Sequence, residues 1–357
     1  MRTLLRPTGF VDSPFGHDSK VARLAGGLNW FATLELIRVD GNKRASTELV
    51  PVEGIEDRFE DDMAAQWSAL TGARAPLPLG ERTIRLEQPQ VMGIVNATPD
   101  SFSDGGQFAD AAAAAEGGAN MAAEGAAIVD VGGESTRPGA KPVWEGDEIE
   151  RIAPVIRQLA KGGAAVSVDT RKADVMTAAL EAGARMVNDV SALTYDDRSA
   201  GTIAASGVPV VLMHHKGAPE TMQDDPHYDD VLVEVYLWLE ARISAAESAG
   251  IARDRILVDP GFGFGKNVAH NLELMNGLAL FHSLGCPVAV GASRKRTIGA
   301  LSGEAPVGKR LGGSIAFALK AAEQGVQIVR AHDVTETVQA LRIWRGMRDQ
   351  ALTPRIG

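Results

Sequence analysis

The sequence predicts an α/β chain: a (β/α)8 TIM barrel over residues 90–350, preceded by an N-terminal α+β extension over residues 1–89. Three observations carry that prediction. First, a short apolar run recurs from Val91 onward, as Val91–Val95, Ala126–Val131, Ala164–Val168, Arg185–Val187, Val208–Met213, Arg255–Val258, Cys286–Val290 and Val326–Val329. Their nearly continuous apolar character is that of parallel strands buried on both faces. Second, helical stretches alternate with them, such as Asp147–Ala160, Lys172–Ala182, Asp230–Ala249, Asn271–Leu284, Leu311–Glu323 and Val334–Met347. Eight such units over about 260 residues fit a barrel in number and in size. Third, every run ends in polar or ionisable residues, and a barrel collects its chemistry at the C-terminal ends of its strands. A doubly wound open sheet would carry a glycine-rich phosphate turn after its first strand, and none follows Val91–Val95.

The first 89 residues differ in character. Trp30 to Val39 is β-prone, with Phe31, Thr33, Glu35 and Ile37 on one face. Ile55, Phe59, Met63, Trp67 and Leu70 recur at three- and four-residue steps, which predicts one amphipathic helix. Ala75–Gly80 reads as a linker or turn, and with no catalytic constellation the segment is expected to be a structural cap. Across the 357 residues, 45% apolar and 23% charged content is that of an ordinary globular protein. A net charge of -10 argues against nucleic acid as the main partner while leaving room for a local basic pocket. The single cysteine, Cys286, excludes an intramolecular disulfide and sits in an apolar run as a buried thiol. No apolar stretch is long enough to span a bilayer and the N-terminus lacks a signal-peptide core, so a soluble cytoplasmic protein is expected.

The strand ends read, in order, Asn96; Asp130 with Gly132-Gly133-Glu134-Ser135-Thr136-Arg137; Asp169-Thr170-Arg171; Asn188-Asp189; His214-His215-Lys216; Asp259-Pro260-Gly261; Ser293-Arg294-Lys295-Arg296; and Arg330 with His332-Asp333. Any one of them could cap a helix, but polar groups at every end of one rim make a functional rim. The rim sorts into two chemistries. Asp169, Asn188 and Asp259 suit a planar heterocycle with an amino–imino edge, because a carboxylate accepts two parallel N–H bonds from it. Arg330, His332, Lys295 and Arg137 supply positive charge for an anion such as a phosphate. Asn96 offers an oxygen to a hard cation bridging that phosphate.

Other motifs carry less. Gly261-Phe262-Gly263-Phe264-Gly265-Lys266 has the wrong glycine spacing and position for a dinucleotide fingerprint, and reads as a tight loop presenting Phe264 to the pocket. His214 and His215 are adjacent on a strand end and point in opposite directions, which is no metal-ligand spacing. Gly132 and Gly133 fit close backbone packing as well as approach of a ligand, and Thr170 fits a cap of the following helix.

Residues 96–106, from Asn96-Ala97-Thr98-Pro99-Asp100-Ser101-Phe102 to Gly106, and 130–139, from Asp130-Val131-Gly132-Gly133-Glu134-Ser135-Thr136-Arg137 to Pro138-Gly139, resemble the two signature stretches of the dihydropteroate synthases. Val168-Asp169-Thr170, Asn188-Asp189, Leu212-Met213-His214, the Asp259–Lys266 stretch, Ser293-Arg294-Lys295 and Arg330-Ala331-His332-Asp333-Val334 match later motifs of that family in order. The resemblance spans Val91 to Met347 and leaves the extension outside.

It implies a (β/α)8 enzyme that joins 6-hydroxymethyl-7,8-dihydropterin pyrophosphate to p-aminobenzoate and releases pyrophosphate with Mg²⁺. By the same resemblance Asp169, Asn188, Asp259 and Lys295 hold the pterin, with Met213 on its ring. Asn96, Arg330 and His332 hold the pyrophosphate and its magnesium, and Asp169, Lys295, Arg330 and His332 form the catalytic set. Phe102, Thr136, Arg137, Pro138, Phe264 and Lys295 border the p-aminobenzoate pocket once the Thr98–Gly106 and Ser135–Val143 loops close, the first ordering only with both substrates. The resemblance also implies a homodimer through barrel helices. Two departures stand out: Arg296 where family members often carry a small hydroxyl residue, and His215-Lys216 in place of Met-Gln. Two rival readings are a pterin-binding methyltransferase with a corrinoid partner and a catalytically silent pterin-binding paralogue.

Overall fold

A computed structural model describes residues 2–97, 107–135, 142–218 and 221–353. The extension opens with β1 (Arg2–Val11), β2 (Ala22–Arg23), β3 (Trp30–Asp40) and β4 (Lys43–Pro51), an antiparallel sheet with β3 between β1 and β4. Both faces of this sheet are used. Leu5, Leu34 and Leu36 pack under the helix α1 (Met63–Thr71), whereas Leu4, Ile37 and Val39 join the apolar cluster of the barrel helices. The β-prone segment is therefore a strand as expected. The single helix expected from Ile55 to Leu70 is instead a short 3-10 turn, Ile55–Arg58, followed by α1. Asp61 between them takes a left-handed backbone at φ 49, which no helix continues through. The apolar spacing was right because Ile55, Met63 and Leu70 still share one small core.

Residues 75–80, expected as a linker, start a hairpin of β5 (Leu77–Leu79) and β6 (Arg82–Ile84). Its Leu77, Leu79 and Ile84, with Leu86, pack into one cluster with Met92, Ile128, Ala165, Met186, Val211, Leu257, Ala289 and Ile328. Those last residues come one from each barrel strand or the turn that enters it. The hairpin thus plugs the N-terminal end of the barrel.

The barrel strands are β7 (Gln90–Asn96), β8 (Ile128–Gly132), β9 (Val166–Asp169), β10 (Met186–Asp189), β11 (Val210–Met213), β12 (Ile256–Asp259), β13 (Ala289–Val290) and β14 (Ile328–Ala331). They form one eight-stranded sheet, parallel between neighbours, in which β7 lies between β8 and β14. A parallel bridge between Val258 and Val288 closes β12 onto β13. The α/β barrel with its α+β extension is thus the observed fold. The run expected at 286–290 yields only two ladder residues because Pro287 has no N–H to donate; its carbonyl accepts from Val258 N at 3.0 Å instead.

Helices α2 (Gln107–Glu124), α3 (Glu145–Lys161), α4 (Ala173–Ala182), α5 (Ser199–Ser206), α6 (Val231–Ser248), α7 (Val268–Gly277), α8 (Arg296–Leu301), α9 (Leu311–Glu323) and α10 (Val334–Ala351) cover the outside. The helix expected over 271–284 changes type after Gly277, where the 3-10 segment Leu278–Leu284 begins. All of that segment is buried, since β1 and α1 of the extension lie against it. No described helix is long and apolar enough to cross a membrane.

Side chains alternate along a strand, so the layer two residues beyond the apolar floor also faces the barrel interior. From Ile128 that step reaches Asp130, from Met186 Asn188, from Val211 Met213, from Leu257 Asp259 and from Ile328 Arg330. Strand parity alone therefore delivers most of the polar residues singled out in the sequence to one chamber. Several strands run one or two residues past the apolar runs that announced them, so Asp169, Asn188, Asp189, Asp259 and Arg330 lie on strands rather than just beyond them. Hydrophobicity ends before the ladder does because these inward positions are polar.

Candidate active site

Arg330 occupies the centre of the chamber. Its Nε donates to Asp130 Oδ2 at 2.6 Å and its Nη2 to Asp169 Oδ2 at 2.7 Å. Asn188 Nδ2 donates to the same Asp130 oxygen at 3.0 Å. Three strands, β8, β9 and β14, thereby meet around one guanidinium, and β10 joins through the amide. Asp130 is fully buried, and its Oδ1, Asp169 Oδ1 and Ser167 Oγ have no hydrogen-bond partner among the described residues. Unpaired buried acceptors are costly, and groups with N–H donors would satisfy them. Asp130 stands near the end of its strand and opens the second motif stretch, with no site role assigned from the sequence; its inward parity with Ile128 is the signal that it belongs to the site.

Two carboxylates sharing one guanidinium leave a negative charge uncompensated. Burial pushes Asp169 up to about 7, opposed by Arg330 and reinforced by Asp130. Burial likewise pushes Asp259 up to about 6, against the Gly261 N–H on its Oδ1 at 2.7 Å and the charge of Lys295. A raised carboxyl pKa means that the folded chain holds a proton the unfolded chain has already released. The contribution of Asp169 to stability therefore falls as pH rises from about 4 to about 7 and is flat above. Thermal unfolding from pH 4.5 to 8 checks this: Asp169→Asn is expected to flatten part of the decline, and an unchanged slope would count against a raised pKa at Asp169.

The other expected residues that the structure describes stand at or just beyond strand ends of the same rim. Met213 is buried beside Asp259, its register partner on β12. Lys295 Nζ lies 4.2 Å from the centre of the Phe264 ring, a cation–π contact. His332 makes two contacts of 3.2 Å to Ser293 Oγ, from its backbone N and its Nδ1. Burial, then Arg330 and Arg294, hold its imidazole down at about 4, so it is neutral at pH 7. Between Ser293 and Lys295 stands Arg294, a non-glycine residue at φ 59. Its backbone N donates to Ser314 Oγ at 3.0 Å, and its side chain forms an ion pair with Asp333. Asn96 ends β7, half-buried at the rim. Arg296 is exposed at the start of α8. Phe102, Thr136, Arg137 and Pro138, and with them the ordering of residues 98–106, lie outside the described residues.

Other rim residues prove to be structural. Asp189 accepts from Ser191 N and Oγ and from Leu193 N, which builds the turn after β10. Glu134 accepts from Val143 N at 2.8 Å and pairs with Arg171 and Lys172. Lys172 reaches on to Val143 O at 2.6 Å and to the buried Glu148 at 2.6 Å. Both flanks of residues 135–142 are tied together there. A side chain on Gly133 would sit 2.7 Å from Ile152 on α3, so its role is helix packing, whereas Gly132 lies beside Asp169. The hydroxyl of Thr170 accepts from Lys172 N at 3.4 Å in the turn before α4. His214 and His215 join no group of three or more metal-ligating side chains among the described residues.

Such a chamber serves a barrel enzyme that grips a flat heterocycle by its N–H edge and faces an anionic group with cations at the mouth. The family profile of the pterin binding enzymes matches residues 92–332, and the chain belongs to that family. Dihydropteroate synthase of Escherichia coli (strain K12) is 46% identical over 262 residues, covering 73% of this chain and 92% of that protein. The solved Xanthomonas albilineans dihydropteroate synthase with 4-aminobenzoic acid superposes with a TM-score of 0.74 at 48% identity, over 79% of this chain and 100% of that one. The same enzyme in complex with 7,8-dihydropteroate gives 0.71 at 45% identity, over 78% and 100%. Within the pterin binders, this chain is accordingly of the dihydropteroate synthase kind, a transferase of folate biosynthesis. These relatives carry the name of neither rival reading. The extension before residue 90 lies outside the matched family profile.

Proposed function

We propose that the chamber condenses 6-hydroxymethyl-7,8-dihydropterin pyrophosphate with p-aminobenzoate to give 7,8-dihydropteroate and pyrophosphate. The observation that carries this reading is the Asp130–Arg330–Asp169 group with its unpaired carboxylate oxygens, set directly above an apolar floor. Asp169, Asn188 and Asp259 take the amino and imino edge of the pterin, and Met213 packs on its face. The first substrate thereby replaces Arg330 on Asp169, and the released guanidinium turns toward the diphosphate with neutral His332. Lys295, beside Phe264, contacts the pterin on one side and borders the p-aminobenzoate pocket on the other.

The C–O bond at the pterin methylene breaks first, its electron pair leaving with pyrophosphate, because the electron-rich ring delocalises the cation. The aniline nitrogen then forms the new C–N bond and gives its proton to solvent, so no protein nucleophile is required. Arg330 stabilises charge as it develops on the leaving group. Mg²⁺ is held sparingly by proteins, keeping its waters and taking one or two side chains with substrate phosphates. A single oxygen from Asn96 at the rim fits that habit, and the ion would supply further neutralisation of the diphosphate. We also expect a cytoplasmic homodimer through barrel helices. The exposed Leu301, Leu311, Ile343 and Met347 on α8, α9 and α10 support that surface.

The test is incubation with the pterin pyrophosphate, labelled p-aminobenzoate and Mg²⁺, followed by separation of dihydropteroate. Absence of product from folded protein would overturn the reading. Asp259→Asn is expected to raise KM for the pterin substrate roughly a hundredfold, equivalent to about 2.7 kcal/mol. A wild-type KM in that variant would remove Asp259 from the pterin site.

A further inference from the structure

Lys266 has no place in the mechanism above, yet it is one of the largest fully buried side chains in the chain. Its Nζ has three partners: His214 Nδ1 at 2.8 Å, Gly261 O at 3.0 Å and Phe264 O at 3.0 Å. An ammonium has three N–H donors and no acceptor, whereas a neutral amine offers only two donors. Three acceptors around one nitrogen engage all three donors of the charged form, against the burial that pulls the Lys266 pKa well below its usual value. Burial lowers the pKa of His214 far below its usual value, so the imidazole is neutral, and its Nδ1 accepts from Lys266 when the ring proton sits on Nε2.

The loop around this ammonium is unusually constrained. A side chain on Gly261, at φ 70, would lie 1.8 Å from His214 O, and one on Gly265, at φ 66, would lie 2.1 Å from Lys216 O. The loop is thus pressed onto the backbone that leaves β11. Further backbone groups of the loop are taken up. Gly263 O accepts from Gln223, Gly265 O from Tyr228 Oη at 2.8 Å, and Gly263 N donates to Asn271 Oδ1 at 2.9 Å. Two converging backbone carbonyls turn their negative ends toward the lysine nitrogen.

We propose that the Lys266 ammonium is a built-in cation that templates the 261–265 loop and so positions both substrate pockets. The two pockets meet at this loop. At its start, Gly261 N holds Asp259 Oδ1, the pterin carboxylate. At its crest, Phe264 O is held by Lys266 while the Phe264 ring lies against Lys295. Lys266 is a positioning residue: it touches neither substrate and acts through Asp259 and Phe264. This assignment rests on the proposed function for what those two residues bind, but the loop geometry does not depend on it.

Two variants and two measurements decide it. Lys266→Ala lacks three carbons and the nitrogen, which propylammonium can replace; Lys266→Met keeps the stem and fills the space without charge. Hydrogen exchange over residues 259–271 is expected to rise in both variants while circular dichroism still shows a cooperative fold. The kcat/KM for each substrate should fall roughly tenfold to a hundredfold. Added propylammonium should restore protection and activity in Lys266→Ala and neither in Lys266→Met. Wild-type protection in Lys266→Met, or no response of Lys266→Ala to the amine, would overturn the proposal. Unfolding of both variants regardless of amine would overturn it too, because the lysine would then support the whole fold. A wild-type protein that forms no dihydropteroate refutes the proposed function instead, and the exchange measurement still decides the role of Lys266.

Discussion

Arg330→Met is expected to cut kcat roughly a hundredfold to a thousandfold, the scale seen when one charge-stabilising donor is removed from a site. The guanidinium has two roles, and methionine ends both. In the free protein it pairs with both Asp130 and Asp169 through separate nitrogens. Without it two buried carboxylates face each other, and breaking a buried pair costs about 3–5 kcal/mol. The protein can escape part of that cost by taking up a proton. Asp169, already pushed to about 7, would then rise further and stay protonated at neutral pH. A protonated carboxyl accepts poorly from the pterin edge, so KM should rise together with the loss of kcat. In turnover the leaving diphosphate would also lose the guanidinium proposed to face it. Arg330→Lys should recover little, because a single ammonium cannot reproduce the fork that spans two carboxylates. Steady-state kinetics of both variants, with thermal unfolding at pH 6 and pH 8, check the argument. Arg330→Met with a near-native kcat would contradict it.

Much of this site was legible because a barrel strand reports its inward face by parity. Once the apolar floor is assigned, Asp169, Asn188, Asp259 and Arg330 follow from counting by twos along the strands. What parity does not reveal is who pairs with whom. The sorting into a heterocycle set and an anion set put Arg330 with the anion, whereas in the free chain it is held by Asp130 and Asp169. That pairing depends on three strands converging, which one strand at a time cannot show. The contact between Lys266 and His214 has the same origin, since it joins the loops that follow two different strands, β11 and β12, which meet only once the sheet forms. The hairpin at 77–84 escaped notice for another reason. Pro78 and Gly80 give it the composition of a linker, and only the open end of the barrel supplies a surface on which Leu77 and Leu79 become core. Glu134 and Arg171 looked like site residues on a polar rim, but an ion pair that ties two chain segments has the same composition as one that binds ligand.

A chain beginning at Gln88 is expected not to form a soluble, cooperatively folded barrel, although the family resemblance begins only at Val91. Three separate losses lead to that result. Removing the β5–β6 hairpin uncovers the barrel floor, with Met92, Ile128, Met186, Val211, Leu257 and Ile328 losing their cover. Removing β1 and α1 exposes one side of Leu278–Leu284, a segment that is buried throughout in the full chain. Polar attachments go as well: Asn29 Nδ2 to Ala322 O at 2.7 Å, Arg74 to His282 O at 2.8 Å, Arg44 to Asp230 at 2.9 Å and Arg2 to Glu240. Each large apolar side chain returned to water costs about 1.5–3 kcal/mol. A handful of them is comparable to the whole of the roughly 5–15 kcal/mol by which domains are stable. The extension therefore behaves as part of the barrel's core rather than as an appendage. A gentler version keeps the full chain and replaces Leu77 with aspartate, which places a charge in the floor without removing the sheet. That variant should lose several degrees of melting temperature. A truncated chain that is soluble, monodisperse and melts within a few degrees of the full protein would show that the barrel closes its own floor.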